Sequence, residues 1–336
     1  MIKKLLRPWM AVMLAGLMAF GCMTGCSVTG NKRIIRISHN QSETHPTHIG
    51  LLAFEEYVEA HLGDKYDVQI FPNELLGPQV KTVELCQTGA IDYVVSSISI
   101  LESFGEMYKI FNLPYLFDNE AHYHSVMENP EIMAPIYKST AAAGFEAVTW
   151  YNAGSRNFYT VKKMIETPDD LKGMKIRVQQ GATNVKMMKL FGASASPMNF
   201  GDVYAALQQK VIDGAENNEL ALTNNKHGEV AKYYSYNMHQ MVPDILIANV
   251  KFLDHLPPEE RAVFDEAARI SSQVQNENWN LAVEKAKQEA AETGVAFSYP
   301  DIAPFKEKML PLHQEVIEEN PKLAPVYQAI QNSGER

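Results

Sequence analysis

The order of apolar patterns between residues 34 and 97 restricts the fold of this 336-residue chain more than any other feature. Residues 34–38 and 91–97 are short apolar, β-branched runs, and residues 66–71 alternate, so all three read as strands. Between them, Leu51, Leu52, Phe54, Tyr57, Val58 and Leu62 recur at helical spacing after Pro46. Residues 80–88 form a second helical pattern, which Gly89 stops. Parallel strands need a long crossover, so strand–helix–strand–helix–strand predicts a mostly parallel sheet.

A second α/β unit starts with a strand at 147–151, a turn at Gly154-Ser155-Arg156 and an extended run at 158–161. Thr167-Pro168-Asp169-Asp170 predicts a capped helical turn. A strand at 175–178, helices at 183–191 and 202–209, and a short strand at 211–215 follow. Residues 244–250 read as an apolar strand and 258–289 as a long helix. Residues 305–331 read as helix interrupted at Pro311, Pro321 and Pro325. No low-complexity linker separates the units, and no internal repeat is present.

The first residues form a targeting segment. Lys3, Lys4 and Arg7 precede an apolar run from Trp9 to Phe20, too short to span a bilayer and of the length of a signal-peptide core. Gly21-Cys22 and Gly25-Cys26 follow. A cysteine placed there resembles a bacterial lipobox. Cys26, after Met23-Thr24-Gly25, is the expected lipidation site in preference to Cys22, which follows the bulkier Phe20. Residues 1–26 are therefore expected to be a lipoprotein signal peptide. An ordinary cleaved signal is the alternative.

The remaining ~310 residues suffice for two lobes with their own cores. Outside the leader only Cys86 remains, so no internal disulfide can form, and its apolar helical context predicts a buried side chain. The formal charge is −10 and becomes about −13 without Lys3, Lys4 and Arg7, because no acid precedes residue 26. That balance argues against nucleic-acid binding, which needs a basic surface. It leaves an anionic ligand open, since one buried arginine dominates its own pocket.

Catalytic signatures are missing. Gly192-Ala-Ser-Ala-Ser196 lacks the second glycine of a nucleophile elbow, and no Gly-x-Gly-x-x-Gly or phosphate loop occurs. His45 and His48 have a spacing that would serve a metal only with a third ligand, so a solvated or pocket-lining role is preferred. Arg177 ends the apolar run Lys175-Ile-Arg-Val178. It is either an edge-strand arginine reaching solvent or a planar fork that matches a carboxylate with two parallel hydrogen bonds.

The stretch from 171 to 217 decides between these. Leu-Lys-Gly-Met-Lys-Ile-Arg-Val (171–178), Phe-Gly-Ala-Ser-Ala-Ser-Pro-Met-Asn-Phe-Gly-Asp-Val-Tyr-Ala-Ala-Leu-Gln (191–208) and Val-Ile-Asp-Gly-Ala-Glu-Asn (211–217) stand in it. They resemble the signature region of the solute-binding proteins of tripartite ATP-independent periplasmic (TRAP) transporters, and the likeness covers nearly the whole mature chain. It implies a two-lobed α/β periplasmic-binding-protein architecture with a ligand cleft between the lobes, crossed by strands and a long helix. Lobe I would hold residues 33–150 and about 243–282, and lobe II residues 151–242 and about 283–336.

The resemblance also implies a site. Arg177 would clamp a substrate carboxylate, with Arg156 as a second cation. Asn217 would orient the carboxylate, although Asn218 stands where the family often has proline. Glu216 is open to pairing with a basic neighbour instead. Phe200 would stack on the ligand's carbon skeleton or serve only as core, and Gln180 would add a polar contact. The first lobe would contribute Asn40, in the polar loop after strand one, and Ser97, at the end of strand three. In relatives that bind sialic acid a glutamate stands at the position of Ser97, which counts against that ligand. The loop 39–43 weakly resembles that of relatives that bind uronates. His239 would close the pocket from the crossover side. The expected function is capture of an organic acid and delivery to a membrane permease, by a lipid-anchored monomer outside the cytoplasm, with no cofactor and no metal. A binding protein feeding a sensor and an extracytoplasmic sugar-acid lyase are the alternatives.

Overall fold

The structure is a computed structural model and describes residues 32–334. The leader and Cys26 lie outside the described residues. The elements run β1 (Arg33–Ser38), α1 (Pro46–Leu62), β2 (Tyr66–Phe71), α2 (Gln79–Thr88), β3 (Tyr93–Ser97), α3 (Ile98–Leu101), α4 (Glu120–Met127), α5 (Pro130–Tyr137) and β4 (Phe145–Tyr151). Next come β5 (Ser155–Thr160), β6 (Lys175–Val178), α6 (Ala182–Phe191), β7 (Ser194–Pro197), α7 (Val203–Gln208), β8 (Gly214–Asn217), α8 (Leu220–Thr223) and β9 (Tyr233–Met241). The chain ends with β10 (Asp244–Asn249), α9 (Val250–Asp254), α10 (Pro258–Glu292), β11 (Ala296–Ser298), α11 (Ala303–Glu319) and α12 (Ala324–Ser333).

Two sheets result, ordered β2-β1-β3-β10-β4 and β11-β9-β5-β8-β6-β7. The first three strands pair in parallel, as their crossover helices require, while β10 returns antiparallel between β3 and β4. In the second sheet β6 is parallel to both β7 and β8, and β5 is antiparallel to β8 and β9.

The chain passes between the sheets twice as strands, from β4 to β5 and from β9 to β10. The 35-residue α10 spans the junction. Its first half packs Phe264, Ala267 and Ala268 into the core under the first sheet, and its second half packs Trp279 and Ala286 on Leu220. Between them Gln275 grips the crossover. Its Oε1 accepts from Asn152 N at 2.8 Å and its Nε2 donates to Asn152 O at 2.7 Å. Gly154 follows at φ +60°, and a Cβ there would lie 3.0 Å from the Trp279 ring, so both conformation and space require glycine.

Several predicted boundaries move. The strand expected at 211–215 is Gly214–Asn217, because Lys210 turns the chain at φ +59° and leaves Val211 exposed. Arg156 lies inside β5 rather than in a turn. The helix α11 runs through Pro311 and breaks only before Pro321. Residues 324–333 pack through α12 against α4 and α5. His122 Nε2, 2.9 Å from Ile330 O, ties them there. An apolar core therefore continues from Val94 through Phe111, Phe158 and Phe191 to Phe305 and Ile330. Cys86 is buried and unbridged, and burial raises its thiol pKa. Among the described residues no helix is long and apolar enough to cross a membrane.

Candidate functional site

Ligands in open α/β folds bind beyond the carboxyl ends of strands, and the cavity of interest lies there. It holds about 490 Å³ of space including its mouth. Asn40 and Gln41 enter after β1, Glu74 after β2, Gln79 from α2 and Ile100 from α3. Arg156 comes from β5, Arg177, Gln179 and Gln180 from the end of β6, and Met198, Asn199 and Phe200 from beyond β7. Asn217, Asn218, Ala153 and Asp244 complete the wall at β8 and the two crossovers.

Arg177 sits on a strand with neighbours on both sides, so it is not an edge residue. It is only 3% exposed, between the fully buried Ile176 and Val178. Its Nε and Nη2 donate to the carbonyl of Met198 at 3.2 and 2.9 Å, which aims the guanidinium. The Phe200 ring centroid is 5.6 Å from its Cζ. Among the described residues no carboxylate lies within the 4.0 Å of an ion pair with it. Burial, with a smaller push from Arg156, lowers its pKa to about 10 against the opposing charges of Glu216 and Glu74. The group stays protonated at neutral pH, and a neutral carbonyl is its hydrogen-bond partner. A buried cation in that state has the chemistry to receive an anion.

Arg156 lines the same cavity but is already paired. Its Nε donates to Glu216 Oε2, its Nη2 to Glu216 Oε1 at 3.0 Å and to Glu216 O at 2.7 Å, and its Nη1 to Asn217 Oδ1 at 3.1 Å. Burial pushes the Glu216 carboxyl up, and Arg156 outweighs it and holds the pKa down at about 2. Burial likewise opposes the Arg156 cation, and Glu216 more than offsets that. The pair is charge-neutral, so Arg156 presents a spare N–H more than a net charge. The pairing open to Glu216 in the sequence is thus made with Arg156, and Asn217 is held by the same guanidinium. Asp244 faces this group, and burial raises its pKa to about 6 against the pull of Arg156.

Six of the eight expected site residues therefore line one cavity: Asn40, Arg156, Arg177, Gln180, Phe200 and Asn217. Two do not. Ser97 caps α3, its Oγ accepting from Ser99 N, and its own N–H donates to Gln79 Oε1 at 2.9 Å. It thus holds Gln79, which takes the place in the wall. His239 is fully buried behind the Arg156–Glu216 pair, stacked on Phe158 at 4.5 Å with its Nε2 3.5 Å from Glu216 Oε2. Burial lowers its pKa, although Glu216 opposes this.

Glu74, Gln79 and Asp244 carry no periodic signal and are unmarked in the sequence. A turn, a helix start and a crossover supply them. The histidines at 45 and 48 separate: His45 Nδ1 caps α1 by accepting from Thr47 N at 3.1 Å, while His48 Nδ1 lies 3.0 Å from His39 Nε2. Among the described residues no group of acids, histidines and cysteines could hold a metal.

Residues 37–320 match the model of the bacterial extracellular solute-binding proteins, family 7. The uncharacterized protein YiiZ of Salmonella typhimurium is 40% identical over 301 residues, 89% of this chain and 91% of its own. A TRAP periplasmic solute-binding protein from Anaerococcus prevotii, solved with bound α/β-D-glucuronate, is 60% identical with a TM-score of 0.89, covering 90% of this chain and 98% of its own. One from a Sulfitobacter species, solved with β-D-galacturonate, is 30% identical with a TM-score of 0.87, covering 89% and 100%.

Proposed function

Because this chain belongs to family 7 of the bacterial extracellular solute-binding proteins, we propose that it captures a hexuronate outside the cytoplasm and delivers it to a TRAP permease. The observation that carries the proposal is the buried guanidinium of Arg177, which donates to the Met198 carbonyl and makes no ion pair among the described residues. A uronate has one carboxylate and a ring of hydroxyls. The cavity offers one cation that makes no ion pair among the described residues and, around it, the amides of Asn40, Gln41, Gln79, Gln180, Asn199 and Asn217. Amides both donate and accept, so they suit hydroxyls. The uronates bound to the Anaerococcus and Sulfitobacter relatives support the same ligand class.

Capture is binding followed by hinge closure across the β4–β5 and β9–β10 crossovers. Closure excludes water from the Arg177–carboxylate pair, which matters because an exposed pair contributes only about 0–1 kcal/mol. One chain builds the whole cavity, which supports a monomeric carrier.

The testing experiment is thermal unfolding with D-glucuronate, D-galacturonate, D-glucose and succinate. Ligand at a hundred times its Kd stabilises the folded state by about 2.7 kcal/mol, so a uronate is expected to raise Tm by several degrees while glucose leaves it unchanged. No shift with either uronate would sink the proposal.

The anchor belongs to the same proposal: Cys26 is acylated after signal cleavage. Labelling with a palmitate analogue is expected to fail in Cys26→Ser and to persist in Cys22→Ser. Loss in Cys22→Ser alone would move the site.

A further inference from the structure

Glu74 stands out in the cavity wall for three independent reasons. Asn73 and Glu74 both adopt positive φ, 54° and 56°, which is uncommon for residues with a side chain and concentrates at functional sites. The turn is anchored to the first ligand loop, with Glu74 N donating to His39 O at 3.1 Å and Asn73 N to Gln41 O at 3.0 Å. The conformation is thus imposed from outside and aims the side chain at the opposite lobe.

There the Glu74 carboxylate lies against the Gly201 backbone, close enough for that N–H to hold down its pKa in part against the burial that raises it. A Cβ on Gly201 would come within 2.7 Å of Glu74 Oε2, so the approach depends on glycine. The other oxygen, Oε1, is buried and has no hydrogen-bond partner among the described residues. A buried acceptor without a donor is unfavourable, so a satisfied state with a donor in place is favoured.

We infer that Glu74 is a specificity-determining latch: one oxygen bridges the cleft to Gly201, and the other accepts a hydroxyl of the sugar acid held by Arg177 and repels any second carboxylate. The inference rests on the uronate reading and narrows it to monocarboxylates with a neutral, hydroxylated far end. An ionised carboxylate is an acceptor only. A hydroxyl satisfies it, and an aldarate, oxidised at both ends, places two anions together. Selectivity then comes from an unfavourable contact with the wrong ligand as much as from a favourable one with the right ligand.

The test is calorimetric titration of the wild type, Glu74→Gln and Glu74→Asp with D-glucuronate and with D-glucarate, which shares its carbon skeleton. The wild type is expected to prefer glucuronate. Glutamine keeps the volume and adds a donor, so it is expected to narrow that preference at least about tenfold, chiefly by admitting glucarate. Aspartate, too short to reach Gly201, is expected to weaken both ligands and narrow the ratio as well, and it serves if the glutamine variant does not fold. A wild-type preference that persists unchanged in the variants would overturn the role of Glu74 and leave the uronate reading intact. A wild type that binds neither acid would overturn both.

Discussion

Replacing Arg177 with alanine is expected to weaken uronate binding by roughly 30-fold to several thousand-fold, the 2–5 kcal/mol typical of truncating one member of a buried, hydrogen-bonded charge pair. The guanidinium is 3% exposed and makes no ion pair within 4.0 Å among the described residues. The ligand's carboxylate would be left in a low-dielectric site facing the Met198 carbonyl. Arg177→Lys is expected to lose less, because it keeps the charge but not the two-pronged geometry.

The unliganded protein should respond in the opposite sense. Burial already lowers the Arg177 pKa to about 10, so the folded state disfavours this cation, and the alanine chain is expected to unfold at the same or a higher urea concentration. Arg156 is the contrast: removing it strands the buried Glu216 carboxylate, a loss of about 3–5 kcal/mol in stability. Calorimetry and urea melts of the two variants check this pairing. Unchanged affinity in Arg177→Ala would end the clamp assignment.

The second large effect is a loss of stability in mild acid. His39, His45 and His227 are buried, and their pKa values fall to about 3. Burial is the main cause in each, with His48 acting on His39 and Arg177 on His227. All three stay neutral in the folded state while the unfolded chain takes up their protons below about pH 6.5. Their contribution is complete above pH 6.5 and is lost as pH falls towards 3. Asp244 acts the other way. Its folded pKa of about 6 exceeds its ordinary value, so the folded state gains a proton first and recovers part of the loss below pH 6. For these four groups the balance is about two protons favouring the unfolded chain, on the order of 2.7 kcal/mol per pH unit between about pH 6 and 4. Glu216 adds its own loss only below about pH 4.5, as pH approaches 2. Urea midpoints at pH 7, 6 and 5 check this. A flat series would mean that the three imidazoles are not held neutral.

Local patterns in the chain determine a good deal. The strand–helix alternation of 34–97 is enough to specify a parallel sheet, because only a crossover joins parallel neighbours. The apolar residues on either side of Arg177 place it in a strand, and the stops at Gly89 and Gly192 end their helices in the left-handed conformation. These features depend on neighbours a few residues away, so periodicity carries them.

Contacts between distant segments decide the rest. Whether Arg156 is a free cation or half of an ion pair depends on Glu216, sixty positions on, facing it from β8. Ser97 and His239 have the chemistry of ligand contacts but face Gln79 and Glu216, because a helix cap and a ring stack turn them from the cavity. Glu74 has no pattern to mark it. Its importance comes from a turn held by the β1 loop and a glycine in the opposite lobe. A period of two or 3.6 tells which face of an element is apolar. Which buried polar group meets which is settled only when the loops at the strand ends pack together, since a buried charge keeps its place only where a partner from elsewhere in the chain stabilises it.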